Sequence, residues 1–537
     1  MRYAVRVANL VLGPVLRYVD DTSATVWLET DRPCTAEVLG CTAETFRVGG
    51  HHYALVPVRG LEPGSSTEYE VRLDGAVVWP DAGAHPPSRI RTIAPGAPVR
   101  LLFGSCRSGP TEDGRRSRAL GPDALEACAR RLMDSPAEAL PEAMLFLGDQ
   151  VYADQLSPQV RRELAARRRG SSAPDGEIAD FEDYTALYRT SWGEPLVRWL
   201  LSTVPSAMIF DDHDVRDDWN TSRAWREQMA RLPWWSERIL GGLVSYWVYQ
   251  HIGNLSPDEL DRDETYRAVL AAGRGGDALE VLREFAARAD AAVGDPEVEH
   301  VRFSYSRQLG ALRLVVLDTR AGRVLDERRA MLPEAEFAWL REQLGDDPQH
   351  VVVAASLPWL LPHAVHHAQS WNEAACRGRR AGLAERVRQA GDLEHWAAFR
   401  DSFDRLTGIL REAAERAASV AVLGGDVHHS YLAEAAFDPP PGARVVQVTC
   451  SPMHNAAPAH LVGPLRMGWS KALARLFGRL AGRAGVPPVP ISWRRTAGPH
   501  FGNAVGVLEV RGREALVALQ RADDDGGLST LHRERLT

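Results

Sequence analysis

The first 95 residues show an alternation of apolar and polar positions that predicts an all-β domain. Runs such as Ala24–Leu28 and Tyr69–Leu73 have the two-residue period of strands with one buried face. Turn signals such as Asp74-Gly75 separate these runs. We therefore expect an independent β-domain over residues 1–95, which ends in a linker containing proline and glycine at residues 92–97.

From Val99 onward the apolar positions form short continuous runs. Runs rich in β-branched residues indicate strands buried on both faces, and helical stretches such as Asp123–Met133 and Glu334–Leu344 lie between several of them. This order is typical of α/β layering, in which polar side chains after the strands form the functional site. The runs are Arg100–Gly104, Met144–Leu147, Ala207–Phe210, Leu312–Leu317, Val351–Ala355, Val420–Leu423 and Val445–Val448.

Two long insertions interrupt these strands, at residues 155–204 and 220–299. The first contains an arginine-rich segment that predicts a helix over Arg161–Arg169, and the second is rich in tryptophan. Insertions of this length commonly cap a site or present a surface to a partner. The tryptophans are more typical of the core of a cap than of a ligand platform. We also expect a docked surface helix in the Arg/Leu-rich stretch Leu465–Gly485.

Charge and cysteine content narrow the functional classes. The 537 residues carry 63 Lys and Arg against 71 Asp and Glu, a formal net charge of -8, so binding of nucleic acid by charge is not expected. No apolar stretch approaches the roughly 20 residues of a membrane span. The six cysteines lack the paired spacing of a zinc or disulfide framework, although Cys34 and Cys41 are near enough to form a bridge in an oxidising compartment.

The N-terminal sequence does not predict export. Arg2 and Arg6 precede the apolar run Leu10–Leu16, as in a signal peptide, but Gly13-Pro14 interrupts this run. No twin arginine and no small-residue cleavage site accompany it. We interpret the segment as the first hairpin of a folded domain and expect a cytoplasmic protein.

Four of the apolar runs end in clusters of carboxylate, imidazole or thiol groups. Charged groups after a fully apolar strand are costly to desolvate unless a cation compensates them. Where four such strand ends meet, a pair of metal ions resolves this conflict, and such pairs serve phosphoryl chemistry. The clusters are Gly104-Ser105-Cys106-Arg107, Gly148-Asp149-Gln150-Val151-Tyr152-Ala153-Asp154, Asp211-Asp212-His213-Asp214-Val215-Arg216-Asp217-Asp218 and Gly424-Gly425-Asp426-Val427-His428-His429.

The order of these clusters resembles that of the PhoD-like alkaline phosphatases, a branch of the calcineurin-like metallophosphatase superfamily related to the purple acid phosphatases. Further matches are Leu317-Asp318-Thr319-Arg320 and Ser356-Leu357-Pro358-Trp359. The resemblance implies an α/β, four-layer αββα metallophosphatase domain over residues 99–537. It also implies that the β-domain in front is a sandwich similar to fibronectin type III.

The resemblance further implies two metal sites that share one carboxylate. The ion at the first site has three anionic ligands, including a tyrosinate, which favours ferric iron, Fe(III). The all-oxygen ligands of the second suit Ca²⁺, Mg²⁺ or Mn²⁺. The implied ligands are Cys106, Asp149, Tyr152 and His428 at the first site, and Asp149, Asp212 and Asp426 at the second.

In such a site a hydroxide between the metals would attack phosphorus in line with the leaving oxygen. His213 is the candidate to protonate the leaving alkoxide or to hold the phosphate. Arg107 is the candidate for a forked contact to phosphate oxygens. We therefore expect a monomeric hydrolase of small phosphoesters, of the alkaline phosphatase D type, with monoesters or diesters as substrates.

Several assignments stay open. Relatives commonly have a glutamate and a pair of asparagines where this chain has Asp214, Asp217 and Asp218, so an additional negative charge leaves the preference of the second metal site undecided. Asp154 is either a ligand or the cap of the following helix. Asp214, Asp218 and His429 are either ligands or supports of ligands.

Two alternative functions accompany the main expectation. One is a phosphodiesterase that acts on lipid-derived or polymer-type diesters. The other belongs to a different class, an inactive scaffold whose β-domain and arginine-rich helix bind a partner. The intact set of candidate ligands argues against the scaffold.

Overall fold

The structure, a computed structural model, describes residues 8–81, 85–165, 167–168, 174–294, 298–345, 348–379 and 381–537. It has an all-β N-terminal region followed by an α/β core, which confirms the expected fold class. Across these described residues, none of the helices combines the length and apolar character needed to cross a membrane.

The N-terminal region consists of two four-stranded antiparallel sheets and a two-stranded ribbon. Its strands are β1 (Leu10–Val19), β2 (Ser23–Thr30), β3 (Thr35–Val38), β4 (Cys41–Glu44), β5 (Phe46–Val48), β6 (His51–Arg59), β7 (Ser66–Glu68), β8 (Val71–Leu73), β9 (Ala76–Trp79) and β10 (Arg89–Arg91). The sheet orders are β1-β2-β6-β5 and β4-β3-β8-β9, and β10 pairs with β7. Alternate residues of both sheets, such as Val26, Val56 and Val71, meet in one buried core.

Two larger sheets form the core of the molecule. Their strands are β11 (Val99–Gly104), β12 (Ala143–Leu147), β13 (Ser206–Ile209), β14 (Tyr305–Leu309), β15 (Leu312–Leu317), β16 (His350–Ala355), β17 (Ser419–Gly424), β18 (Ser430–Ala436), β19 (Val445–Thr449), β20 (Ser492–His500), β21 (Ala504–Arg511), β22 (Glu514–Ala522) and β23 (Leu528–Arg535). The orders are β13-β12-β11-β21-β22-β23 and β14-β15-β16-β17-β19-β18-β20. Because β11, β12 and β13 are parallel, their carboxyl ends lie at the same edge of the first sheet.

Helices cover the outer faces of both sheets. They are α1 (Gly114–Leu120), α2 (Ala124–Met133), α3 (Pro158–Ala165), α4 (Phe181–Trp192), α5 (Pro195–Thr203), α6 (Arg223–Met229), α7 (Trp235–Ser245), α8 (Pro257–Arg262), α9 (Glu264–Gly273), α10 (Leu279–Ala292), α11 (Glu334–Leu344), α12 (His363–Cys376), α13 (Ala381–Ala390), α14 (Arg400–Ala414), α15 (Ala459–Met467) and α16 (Lys471–Arg483). In β16, Val352 packs toward the first sheet, whereas Val351 and Val353 pack with α11 and α14. This alternation gives the four layers αββα.

The two insertions are helical. The first holds α3 to α5 and the second holds α6 to α10. The arginine-rich helix is shorter than predicted, since α3 ends at Ala165 and Arg169 lies outside the described residues. Arg167 and Arg168 follow the helix and pair with the buried Asp183 of α4. The stretch Leu465–Gly485 is likewise split, because a turn at residues 468–470 separates α15 from α16.

Candidate metal centre

The four sequence clusters meet at one place, between the carboxyl ends of the two large sheets. Cys106 follows β11 and Asp149 follows β12, and the Cys106 amide donates to the carbonyl of Gly148 at 3.2 Å. Asp426 follows β17 of the other sheet, and its carbonyl oxygen is 3.7 Å from Cys106 Sγ. Asp212 follows β13 and begins a short 3₁₀ turn. Both sheets therefore contribute side chains to one centre.

Oxygen atoms of the centre lie close together and lack partners. One group of oxygen and nitrogen atoms within 4.8 Å of each other comes from Asp149, Asp212 and His213, and a second comes from Asp211, Asp212 and Asp426. Both carboxylate oxygens of Asp149 and the Tyr152 hydroxyl are buried without a hydrogen-bond partner among the described residues. Oδ1 of Asp212 is also buried, and its ion-pair partner is Arg320 at 3.2 Å. Buried polar atoms are normally paired, so this donor set fits bound cations.

The thiol and phenol of the centre are held in an environment that disfavours their ionisation. Burial raises the pKa of Cys106 well above its ordinary value, and the carboxylates of Asp149 and Asp426 raise it further. Burial likewise raises the pKa of Tyr152, with Cys106 and Asp149 adding to the effect. Both groups are thus protonated without a cation, and their use as anionic ligands requires a strongly charged ion beside them.

The histidine predicted as a ligand has the protonation state that ligation needs. His428 is half-buried, and the desolvation of its ring lowers its pKa to about 4, so its imidazole is neutral. Asn455 lies beside both His428 and Tyr152. The place of Asn455 after a buried strand, β19, is the sequence feature that makes it a candidate to line the pocket.

His213 is oriented by Asp154. The imidazole Nδ1 is 2.9 Å from both carboxylate oxygens of Asp154. One of these oxygens also accepts from the Asp217 amide at 2.7 Å. Burial opposes protonation of His213, but Asp154 and Asp212 outweigh it and raise the pKa of the imidazole well above its ordinary value. Asp154 therefore orients His213. Its contacts match neither of the two roles predicted for Asp154, metal ligand or helix cap.

Asp214 is a structural support of the centre. Its Oδ2 accepts from the amides of Asp149 and Asp211, both at 2.9 Å, and its Oδ1 accepts from Gln250 at 3.1 Å. Since these donors occupy both oxygens, Asp214 fixes the two loops that carry Asp149 and Asp212.

His429 points away from the candidate ligands. Its ring lies against Tyr431 and Phe501, with ring centroids 5.2 and 5.8 Å apart, and its Nδ1 is 2.7 Å from the carbonyl oxygen of Val427. Consecutive side chains diverge in this loop, so His428 and His429 have different surroundings.

The structure corrects the role predicted for Arg107. Its guanidinium is buried and forms an ion pair with Asp123 at 2.7 Å, and it also donates to the carbonyl of Ser191 at 3.1 Å. Asp123 caps α2 at the same time. Arg107 therefore fastens helices to the loop after β11 and does not present a fork to phosphate.

Asp218 lies at the edge of the centre. Its amide donates to Asp212 Oδ2 at 3.0 Å, whereas its own Oδ1 is buried without a partner among the described residues. Burial raises the pKa of Asp218, and repulsion from the nearby carboxylates of Glu394 and Asp392 raises it further, to about 9. A cation beside Asp218 would offset this cost of ionisation.

Sequence reasoning missed the groups that surround Asp211, Asp212 and Asp426. The fully buried Arg320 pairs with Asp211, with Asp212 at 3.2 Å and with Glu394 at 2.5 Å. His395 Nε2 is 2.8 Å from Asp426 Oδ2. Arg320 belongs to the Leu317–Arg320 motif, but residues 391–395 form a loop without a strand pattern, so no signal pointed to Glu394 and His395.

This chain is similar to known proteins in sequence and in fold. The sequence profile of the PhoD-like phosphatase family matches residues 127–464, and that of a domain of unknown function (DUF7800) matches residues 7–90. A solved structure described as the structure of PhoD is similar over 100% of this chain and 93% of that chain, with 13% identity and a TM-score of 0.60.

Other comparisons add nothing to this. A chitinase from Paenibacillus, covering 98% of this chain and 39% of its own, has 10% identity and a TM-score of 0.18, too low to indicate a common fold. The search of curated proteins returned no match. Because the family profile matches more than half of the sequence, the chain belongs to the PhoD-like phosphatases, metal-dependent enzymes that hydrolyse phosphoric esters.

Proposed function

We propose that this protein hydrolyses phosphoesters with two metal ions, held by Cys106, Asp149, Tyr152, Asp212, Asp426 and His428. One observation carries the proposal: Asp149 has two buried carboxylate oxygens without partners, at the place where both sheets end. A carboxylate with both oxygens free is suited to bridge two ions. When bound, the ions supply Lewis-acid activation of water and neutralise charge on the transferring phosphoryl group.

The side chains on the two sides of Asp149 differ in chemistry and therefore favour different ions. Sulfur and phenolate on the side of Cys106 and Tyr152 favour ferric iron. Carboxylates alone on the side of Asp212 and Asp426 favour a hard divalent cation, with calcium the first candidate and magnesium or manganese the others. Asp218 is a candidate additional ligand there, since its amide already contacts Asp212.

His213 is proposed to give a proton to the leaving oxygen of the substrate. Asp154 holds the Nδ1 side of the ring, which leaves Nε2 directed away from that carboxylate. The carboxylate of Asp154 on Nδ1 favours the protonated imidazole, as a general acid requires. The proton moves from Nε2 to the alkoxide as the ester bond breaks, and Asp154 stabilises the ring throughout.

The proposed substrates are small phosphoesters. Phosphomonoesters are the first candidates, as expected for an alkaline phosphatase D-like enzyme. Phosphodiesters, including lipid-derived or polymer-type ones, are the alternative to be compared in the same assays.

The test combines elemental analysis with an assay of phosphoester hydrolysis. We expect two metal ions per chain and hydrolysis of a generic phosphomonoester or phosphodiester. Asp149→Asn removes the bridging charge at nearly constant shape, so this variant should lose both ions and its activity. Asp21→Asn, at an exposed position of the N-terminal region, is the matched control. A wild-type protein that takes up no metal and cleaves neither ester would overturn the proposal.

The visible spectrum separately tests iron. A ferric ion bound to the Tyr152 phenolate should give a charge-transfer band that Tyr152→Phe abolishes. Tyr184→Phe is the control, because Tyr184 is also buried nearby but donates its hydroxyl to the carbonyl of Asp214. Colour that survives in Tyr152→Phe would disprove the tyrosinate ligand while leaving the two-metal proposal in place.

A further inference from the structure

One region of this acidic protein contains no acidic residue. Between Asp438 and Glu509 the sequence has no Asp or Glu, although the chain as a whole carries a net charge of -8. The same stretch contains Arg444, Arg466, Lys471, Arg475, Arg479, Arg483, Arg494 and Arg495. The helices α15 and α16 lie in the middle of it and carry five of these cations.

These two helices are rich in apolar residues that the protein does not bury. None of the nine residues of α15 is buried, and Ala481 is the single buried residue of α16. Leu461 is 43% exposed, Met467 is 57% exposed and Leu476 is 49% exposed. Large apolar side chains grouped on an exposed surface commonly mark an interaction site. We call α15, α16 and their exposed side chains the basic helix pair.

The cations of α16 form no ion pair with the part of the chain that the structure describes. Among the described residues, no carboxylate lies within ion-pair distance of Lys471, Arg475, Arg479 or Arg483, all of them exposed. Arg466 packs over the ring of Phe501, with 5.3 Å between the guanidinium carbon and the ring centroid. Four positive charges of α16 thus face solvent without compensation.

The inner side of α16 is fixed to the protein. Phe477 contacts Trp371 of α12, with 6.4 Å between ring centroids, and Gly478 lies against His367 of the same helix. The helix therefore keeps its position while its outer side presents leucine and arginine together. A helix with this division of charged and apolar side chains suits the interface between water and lipid.

We propose that the basic helix pair docks the protein onto an anionic lipid bilayer. Arg475, Arg479 and the neighbouring cations would bind lipid phosphates, since guanidinium groups pair well with phosphate oxygens. Leu461, Met467 and Leu476 would enter the boundary between headgroups and acyl chains. A second copy of this chain fits the surface less well, because a symmetric interface would set two uncompensated cationic faces against each other.

The docking surface adjoins the metal centre. Helix α15 begins four residues after Asn455, which lies beside Tyr152 and His428. At the end of α15, Arg466 covers Phe501, and Phe501 stacks on His429 at 5.8 Å. A bilayer bound here would lie next to the centre. The docking itself does not depend on the proposed hydrolysis.

The test is binding of the full-length protein to vesicles. We expect binding to phosphatidylglycerol vesicles, weak binding to phosphatidylcholine vesicles, and weaker binding as salt increases. Arg475→Gln with Arg479→Gln should weaken binding to phosphatidylglycerol by about 30-fold, from two lost contacts with the surface. Arg511→Gln with Arg513→Gln is the control, since this exposed β-hairpin lies at the opposite end of the sheets, and it should bind as the wild type does.

A second pair of variants tests the apolar contribution. Leu461→Gln with Leu476→Gln should weaken vesicle binding at least several-fold, whereas Leu39→Gln with Val77→Gln, exposed apolar positions of the N-terminal region, should not. Hydrolysis of a water-soluble ester should be unchanged in all four variants, which shows that they fold. Absence of wild-type binding, or equal binding by the variants of the basic helix pair, would overturn the proposal. So would a wild-type dimer that the Leu461/Leu476 variant converts to monomers.

Discussion

Four residues proposed as ligands have a backbone conformation that L-amino acids rarely adopt. The φ angles are 57° at Cys106, 52° at Asp149, 63° at Asp426 and 51° at His428. Left-handed backbone costs on the order of 1 kcal/mol or more at each such residue. The surrounding hydrogen bonds keep these conformations, which turn each side chain sharply from the end of its strand into the space between the sheets.

The burial of one of these residues, Asp149, gives a prediction. Burial raises its pKa well above the ordinary value, and His213 offsets only part of this effect. Asp149 ionises freely in the unfolded chain but not in the metal-free fold, so it lowers the stability of that fold at neutral pH. We expect metal-free Asp149→Asn to be more stable than metal-free wild type by about 1–3 kcal/mol.

With metal bound, the wild type should be more stable than Asp149→Asn. Urea unfolding of both proteins, after chelation and after reloading, measures the two differences. If Asp149→Asn is less stable than the wild type in both states, Asp149 is an ordinary structural carboxylate and not a site shaped for cations.

His395 gives a second prediction at this scale, because its tautomer can be deduced. The backbone amide of His395 donates to Gln369 Oε1 at 3.1 Å, which leaves the Gln369 amide nitrogen to donate to Nδ1 of the ring at 2.9 Å. Nε2 then carries the hydrogen and donates it to Asp426 at 2.8 Å. This bond orients Asp426 for a metal.

Loss of His395 should therefore weaken metal binding without unfolding the protein. We expect His395→Ala to lower metal affinity by about 10–100-fold, as is typical when a group that orients a ligand is removed. His460→Ala, at an exposed position, is the control. Metal titration with a competing chelator measures the affinity, and unchanged affinity in His395→Ala would contradict the orienting role.

At the scale of elements, one buried arginine joins three loops. Arg320 follows β15, and its partners Asp211 and Glu394 belong to the loops after β13 and before α14. A second arginine, Arg323, also pairs with Glu394, at 3.0 Å. Arg320 therefore holds the loop carrying Asp212 against the second sheet.

Removing this arginine should be costly. Arg320→Met leaves Asp211 and Glu394 buried with less compensation, so we expect the free energy of unfolding to fall by about 3–5 kcal/mol. Arg341→Met, on the exposed side of α11, should change it by less than about 0.5 kcal/mol. Urea denaturation measures both, and a loss in Arg320→Met no larger than in the control would show that Arg320 does not hold these loops.

The elements also show what the sequence could and could not predict. Continuous apolar runs identify buried parallel strands, so the meeting of Cys106, Asp149 and Asp212 at one edge follows from periodicity. Periodicity does not predict where the Arg107 side chain points. Arg107 turns toward Asp123, whose position is set by its role as the N-cap of α2. Glu394 and His395 lie in a loop whose path is set by packing and leaves no local pattern.

At the scale of the whole molecule, the N-terminal sheets are fastened to the helical insertions by polar contacts. Arg17 of β1 is fully buried and donates to the carbonyls of Tyr249 and Gln250, both at 2.6 Å. The amides of Gly49 and Gly50 donate to Asp277 at 2.8 and 2.9 Å. These partners are more than 200 residues apart, so no sequence pattern of either segment predicts them.

One of these contacts should make stability depend on pH. His51 of β6 bridges Glu29 of β2 and Glu182 of α4, with both ring nitrogens 2.9 Å from a carboxylate oxygen. Burial lowers the pKa of His51, but the hydrogen bonds to Glu182 and Glu29 outweigh it and raise the pKa from 6.5 to about 9. The charged ring therefore stabilises the fold fully below about pH 6.5, and this contribution disappears as the pH rises through 9.

Comparison with His51→Gln isolates the effect, because glutamine keeps hydrogen-bonding groups but does not titrate. At pH 6 the wild type should be more stable than this variant by about 1–2 kcal/mol, a modest value because Glu182 is 44% exposed and screened by solvent. The difference should shrink as the pH is raised to about 10, and salt should reduce it at pH 6. Urea denaturation at both pH values measures it. A difference that stays constant between them would mean that the ring contributes by packing, and that the junction between the N-terminal sheets and α4 does not rest on charge.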